Sequence, residues 1–222
     1  MAALVFGAAV ACGGSGGVGA IAHSTLSRAV PSISSFELAG ALPAPADFGA
    51  GWTFDTTSPG NLDYFEEFLL NGLLGDCQGA SPKGQGIAVS SARAVSGSFK
   101  APRPPGYMWA RLAIDSPAVS ADRMALMRAD FTHCPTSKTS LSGVGATESY
   151  VVLPQMPGVR ADDSFAARIT VHFPDPGDSD EVETWAYARV GGLVVALAGL
   201  DGVNPVPLLP KALAKARGTL HL

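Results

Sequence analysis

Apolar and polar residues alternate along residues 165–173, and this alternation limits the fold more than any other feature of the sequence. Positions 165, 167, 169, 171 and 173 are Phe, Ala, Ile, Val and Phe, while polar residues such as Arg168 and His172 lie between them. A period of two predicts a strand with one buried and one solvated face. Residues 181–190 form a second predicted strand. A Gly-Gly turn joins it to a third, residues 193–198, which is apolar on both faces.

The remaining periodic segments complete an α+β pattern. Further strands are predicted at residues 86–99, 107–114 and 147–153, and helices at residues 62–73, 117–134 and 209–220. With 222 residues, the chain suits a single folded domain, placed at residues 36–222. The expected fold is one antiparallel, twisted sheet of about five to six strands with helices packed on one face.

Charge and composition exclude one class of partner. The net charge is −4 and the 15 basic residues are scattered, without a basic stripe, so nucleic-acid binding is not expected. Charged residues make up only 15% of the chain, and 26 glycines and 17 prolines indicate many turns. This low-charge composition suits an exported protein.

The N-terminal segment resembles a bacterial lipoprotein signal peptide. Residues 2–11 are apolar and uncharged and would rise only about 15 Å as a helix, too short to span a membrane. They end in a lipobox, Val10-Ala11-Cys12, which predicts a signal peptide at residues 1–11, a lipid on Cys12 and a Gly/Ser-rich tether at residues 12–35. No Lys or Arg precedes the apolar run, so either the true start lies upstream, which we favour, or the chain is not exported.

Two glycine-rich motifs overlap this tether. Residues 14–19 fit the G-x-G-x-x-G pattern of dinucleotide-binding domains, and residues 13–17 fit the G-x-S-x-G nucleophile elbow. Neither lies in the repeated strand–helix context that its chemistry requires. We therefore interpret the segment as a flexible linker and predict no cofactor.

The cysteine count is odd. A lipid on Cys12 leaves Cys77 and Cys134, each next to a predicted helix end. A disulfide between them would stabilise the fold by roughly 4 kcal/mol through loop closure. The alternative is a pair of reduced, buried thiols in a cytosolic protein.

No catalytic or metal site can be assembled from spacing alone. The four histidines are far apart in sequence and none has metal-ligand spacing: His23, His133, His172 and His221. His172 alternates onto the solvated face of its strand and is interpreted as a surface residue. We therefore predict that the protein is not an enzyme. A hydrolase would need a Ser or Asp within hydrogen-bond reach of a histidine.

Two strands carry aromatic and arginine side chains on the faces opposite their predicted core residues. We predict that these five residues line a ligand cleft, provided that the strands are neighbours and no helix covers the face: Trp109, Arg111, Trp185, Tyr187 and Arg189. Aromatic rings beside arginines suit a planar, anionic or sugar-like ligand. The alternative is that a helix packs over this face and buries the rings.

Several segments together resemble a known family. These are the lipobox and tether, the Asp47–Trp52 segment, Cys134-Pro135, residues 162–168, and the R-x-G-x-x-V-V hairpin within residues 187–195. They look like the actinobacterial sensor-domain lipoproteins, which are similar to the extracellular domain of PknH-type receptor kinases. The resemblance implies an α+β domain with a solvent-facing cleft and no kinase domain in this chain. The family's usual second disulfide is absent.

These observations predict a lipoprotein anchored on the extracytoplasmic face of the cell membrane. Its domain would bind or sense an unidentified small molecule or envelope ligand. The alternative is a carrier of envelope lipid or glycolipid. An apolar pocket would favour the carrier, whereas a polar or aromatic-rimmed cleft would favour sensing.

Overall fold

The structure is a computed structural model that describes residues 32–55, 92–102, 106–133, 135–141, 144–153, 156, 158–175, 177 and 179–222. The described helices are α1 (Ser35–Ala41), α2 (Pro45–Phe48), α3 (Pro117–His133) and α4 (Leu209–Leu220), the last preceded by a 3₁₀ turn (Val206–Leu208). The described strands are β1 (Thr53–Phe54), β2 (Ala92–Val95), β3 (Phe99–Lys100), β4 (Tyr107–Ile114), β5 (Thr136–Leu141), β6 (Val144–Leu153), β7 (Asp163–His172), β8 (Glu181–Val190) and β9 (Leu193–Gly199).

All nine strands belong to one antiparallel sheet with the order β1-β3-β4-β9-β8-β7-β6-β5, and β2 also pairs with β4. The predicted α+β class and single antiparallel sheet are therefore confirmed. The predicted strand number was too low. β5 was missed because its sequence, TSKTSL, shows little apolar periodicity. β2 and β3 occupy one edge of β4 on either side of an interruption, where the Ser96 hydroxyl accepts a hydrogen bond from Ala110 N at 2.9 Å.

The β8–β9 hairpin forms as the sequence predicts, with Gly191 at a φ of 57° in its turn. Gly192 is required for a second reason. A Cβ atom at this position would lie 2.0 Å from the carbonyl oxygen of Asp115, at the end of β4. Because Asp115 N also donates to Gly192 O at 3.1 Å, the hairpin and the start of α3 lie backbone against backbone.

Helices cover both faces of the sheet, which corrects the prediction of helices on one face only. α1 and α4 pack on one face, named here the α4 face, through Leu38, Leu209 and Leu213. α3 packs on the other, named the α3 face, through Met124, Met127 and Phe131. Strands β4, β8 and β9 lie between the two layers and are buried from both sides.

The start of α3 agrees with the sequence prediction. Ser116 caps the helix by accepting a hydrogen bond from Val119 N at 3.3 Å, and Pro117 is the first helical residue. The Met124, Met127 and Phe131 stripe is core, as predicted. This cap fixes where α3 leaves β4 and crosses the sheet.

Several predictions fall outside the described residues: the helix at residues 62–73, the lipid anchor at Cys12, and both cysteines of the predicted disulfide, Cys77 and Cys134. These remain predictions. Among the helices of the described ranges, none has the length and apolar character needed to span a membrane.

Candidate functional site

The five residues predicted to line a cleft lie together on the α3 face. Trp109 on β4 and Trp185 on β8 are both opposite Ala198 of the intervening strand β9. Arg111 and Tyr187 likewise flank Ala196. Arg189 lies further along β8, where its Nη1 donates to Gly191 O at 3.0 Å and to Asp162 Oδ2 at 3.4 Å.

This group does not form an open cleft wall, so that prediction is wrong. Trp185 and Tyr187 are both 0% exposed, Arg111 is 4% exposed, and Trp109 packs against the same buried core. The alternating large and small residues of β8 suggested one solvated face. α3 instead covers that face, and the small residues Ala186 and Ala188 allow the other helical layer to approach.

Ionisable side chains are buried at several separate positions on the α3 face. The Arg123 guanidinium lies 3.4 Å from the Asp115 carboxylate. Trp185 Nε1 donates to Glu183 Oε2 at 2.8 Å, and the Tyr150 hydroxyl donates to the Glu148 carboxylate. The buried ionisable residues on this face are Arg111, Asp115, Arg123, Glu148 and Glu183.

Burial is the main cause of the pKa shifts of two groups on this face, Arg123 and Tyr187. It lowers the pKa of Arg123, and the nearby Asp115 opposes that shift only in part. It also raises the pKa of the Tyr187 phenol strongly. Arg111 acts against this shift and Glu183 adds to it. The cavity beside Arg111, Arg123 and Tyr187 measures about 10 Å³, which is room for roughly one water molecule. This face is therefore packed protein interior.

The open site lies near the edge formed by β5, β6 and β7, and residues of both faces line it. α1 and α4 pack mainly on β2, β4, β8 and β9, and beyond them Val151 on β6 is 57% exposed. A cavity of about 370 Å³ opens at this edge. Its lining combines polar and apolar side chains: Lys138, Gly145, Ala146, Thr147, His172, Phe173 and Pro174.

A chain of three hydrogen-bonded side chains adjoins this open site through His172, which lines the cavity. Ser149 Oγ lies 3.2 Å from His172 Nε2, and His172 Nδ1 lies 2.9 Å from Asp180 Oδ2. With a proton on Nδ1, the ring donates to Asp180 and its Nε2 accepts from the Ser149 hydroxyl. His172 and Asp180 are about half exposed, with side chains 45% and 51% accessible. A serine, a histidine and an aspartate are thus aligned in the order used for nucleophile activation.

Sequence reasoning placed His172 on the solvated face of its strand, as observed, but did not connect it to Ser149. The two residues are 23 positions apart and meet only because Thr147 and Ser149 on β6 pair with His172 and Thr170 on β7. No spacing rule within one strand reveals such a pair. In the part of the chain that the structure describes, no group of three His, Cys, Asp or Glu side chains is arranged to hold a metal ion.

Comparison with solved structures identifies a shared fold. The extracellular domain of PknH from Mycobacterium tuberculosis matches with a TM-score of 0.54 at 10% identity, over 84% of this chain and 98% of that one. The resemblance inferred from the sequence is thus confirmed at the level of the fold. CalU16 from Micromonospora echinospora matches with a TM-score of 0.25 at 13% identity, over 58% of this chain and 82% of that one, too weakly to carry an argument. No protein-family model and no curated protein matches the sequence.

Proposed function

We propose that the protein is a lipoprotein anchored on the extracytoplasmic face of the membrane, with a domain that binds or senses a small ligand. The observation that carries this proposal is the fold shared with an extracellular domain over nearly the whole of that domain. The lipobox at Cys12 and the low-charge composition support the same location. A Cys77–Cys134 disulfide would be consistent with export and remains part of the proposal.

The open cavity is the proposed ligand site. Lys138 supplies a positive charge, Thr147 and His172 supply hydrogen-bonding groups, and Phe173 and Pro174 supply an apolar wall. This lining suits a small anion that carries a short apolar group. None of the five residues predicted to form a cleft lines this cavity, and α3 buries Arg111, Trp185 and Tyr187 on the α3 face.

The carrier hypothesis has less support. A lipid carrier needs an apolar cavity large enough for an acyl chain, and the cavity under α3 holds about 10 Å³. The 370 Å³ cavity is open, and a lysine and a histidine line it. Lys138 and His172 in this lining favour a ligand with a charged or polar group over a wholly apolar chain.

We expect butyrate to bind weakly at this cavity, because its carboxylate and propyl group match Lys138 and the Phe173–Pro174 wall. Titration into ¹⁵N-labelled protein should shift the backbone amide signals of Thr147, His172 and Phe173. Lys138→Met should weaken binding by up to about fivefold, the scale of one exposed ion pair.

Arg168→Met is the matched control, since Arg168 is an exposed cation on β7 that does not line the cavity. It should leave the butyrate affinity unchanged, and the neutral butyramide should bind more weakly than butyrate. Shifts confined to the α3 face, or equal losses in the two variants, would contradict the assigned site.

Membrane attachment is expected to depend on Cys12. The gene expressed with its native upstream region should incorporate labelled palmitate and fractionate with membranes. Cys12→Ala should abolish both the label and the attachment, while Ser15→Ala should retain them. Unchanged labelling and fractionation of Cys12→Ala would refute the lipid anchor. The ligand-binding proposal is tested separately, by the butyrate titration.

A further inference from the structure

We propose that Ser149, His172 and Asp180 form a hydrolytic site for short-chain acyl esters that opens into the 370 Å³ cavity. This activity goes beyond the proposed sensing role. It depends on the hydrogen-bonded chain Ser149–His172–Asp180 and on access from the cavity that His172 lines. It does not depend on the location of the protein.

Each side chain has a distinct role. The Asp180 carboxylate accepts from His172 Nδ1 at 2.9 Å, which fixes the ring orientation and leaves the Nε2 lone pair facing serine. His172 Nε2, 3.2 Å from Ser149 Oγ, is within reach of the hydroxyl proton. Ser149 is the nucleophile and His172 the general base. A hydrolase of this type needs a serine within hydrogen-bond reach of a histidine, and these two side chains meet that requirement.

The strands hold these groups in place. Ser149 lies within β6 and His172 at the end of β7, and the two strands pair continuously from Thr147–His172 to Leu153–Ala166. Asp180 immediately precedes β8, which pairs with β7. Two of the three groups therefore project from adjacent strands of one sheet, a support that limits their relative motion.

The reaction that this arrangement supports is ester hydrolysis. Ser149 Oγ attacks the carbonyl carbon while its proton passes to His172 Nε2. The C–O bond to the alcohol then breaks, and the alcohol leaves with the proton from Nε2. Water attacks the acyl-serine with His172 again as base, which releases a carboxylic acid and restores Ser149. The sum is ester plus water giving acid plus alcohol.

Charge on the carbonyl oxygen also needs stabilisation. Around Ser149 the backbone of β6 pairs with both β5 and β7, so we assign this role to a side chain. Lys138 lines the cavity, and its β5 position is opposite Thr147, which in turn is opposite His172. Its ammonium group supplies the positive charge that the oxyanion requires. The apolar wall of Phe173 and Pro174 accommodates a short acyl chain.

The test uses the full-length chain, a fluorophosphonate probe and p-nitrophenyl butyrate. Mass spectrometry should locate the phosphonyl group on Ser149. Ser149→Ala should remove the label and reduce hydrolysis to the uncatalysed rate. His172→Gln should lower the hydrolysis rate by about 100-fold, the contribution of one general base. Asp180→Asn should lower it by at least about tenfold.

Thr170→Ala is the control, because Thr170 is the cross-strand neighbour of Ser149 and lies outside the hydrogen-bonded chain. It should keep full labelling and hydrolysis, and circular dichroism should show every variant folded. The proposal is overturned if folded parent protein is not labelled at Ser149, or if Ser149→Ala hydrolyses the ester as fast as the parent. The three side chains would then only connect the β7–β8 loop to β6 through hydrogen bonds at the surface. Neither outcome changes what the butyrate titration reports about ligand binding.

Discussion

Trp185→Ala is expected to lower the free energy of unfolding by about 4 kcal/mol, the range measured for large aromatic residues removed from protein cores. Trp185 is fully buried under α3 and stacks on Tyr187 with ring centroids 6.2 Å apart. Its Nε1 also donates to the buried Glu183 carboxylate at 2.8 Å. The substitution therefore leaves a large cavity and removes one hydrogen bond from a buried charge.

Urea unfolding monitored by circular dichroism measures this loss, and the melting temperature should fall by roughly 8–16 °C for a domain of this size. Val151→Ala is the control. Val151 is 57% exposed on the open face, so its loss should change stability by no more than about 0.5 kcal/mol. A Trp185→Ala variant within 1 kcal/mol of the parent would mean that α3 does not seal this face.

Sequence patterns predicted the strands closely wherever the pattern lies within the strand itself or in the turn beside it. The alternation ending at His172 marks β7, and the apolar run from Leu193 marks β9 as an interior strand. The paired glycines mark the turn between β8 and β9. The Ser116-Pro117 cap marks where α3 begins. Each of these signals lies within a few consecutive residues, because period, turn and cap are local properties.

The second helical layer could not be predicted in the same way. In β8, Trp185 and Tyr187 alternate with alanines, a pattern that is equally compatible with an open aromatic face and with a face sealed by a helix. Which alternative forms depends on the path that α3 takes across the sheet after β4. No residue of β8 determines that path. Arg111 is compatible with either alternative, and in the structure it is buried beside Tyr187, on which the Glu183 charge also acts.

The candidate site shows the same limit. Ser149, His172 and Asp180 are on β6, β7 and the approach to β8, and strand register alone brings them together. Sequence alternation correctly put His172 on a solvated face. The partner across the strand depends on which residue of β6 pairs with Thr170, and shifting the register by one residue would turn Ser149 to the α3 face.

Substitutions on the two faces are therefore expected to have different effects. The α3 face is filled with aromatic rings and paired charges and leaves room for roughly one water molecule. The open face near β5–β7 carries exposed polar groups beside a cavity that small molecules can enter. Variants on the first should change stability, and variants on the second should change binding or hydrolysis while the fold persists.

The Arg123–Asp115 pair gives the second large expected effect. Arg123→Met should lower the free energy of unfolding by about 3 kcal/mol, because the buried Asp115 carboxylate loses a guanidinium 3.4 Å away. Burial lowers the pKa of Arg123 despite Asp115, so desolvation outweighs the attraction between the two charges at this site. A pair of this kind is costly to break, yet it adds little compared with apolar residues of similar size.

A double-mutant cycle separates these two effects. Asp115→Leu alone should also be strongly destabilising, since it leaves the Arg123 charge buried on α3. The double variant should be more stable than the sum of the two single losses predicts, by about 2 kcal/mol. Urea unfolding of the four proteins gives the coupling. Strictly additive losses would show that Arg123 and Asp115 contribute to stability separately. The start of α3 would then be held to the sheet by the Gly192 backbone contact and by the Ser120 hydroxyl, which donates to Gly192 O at 2.7 Å.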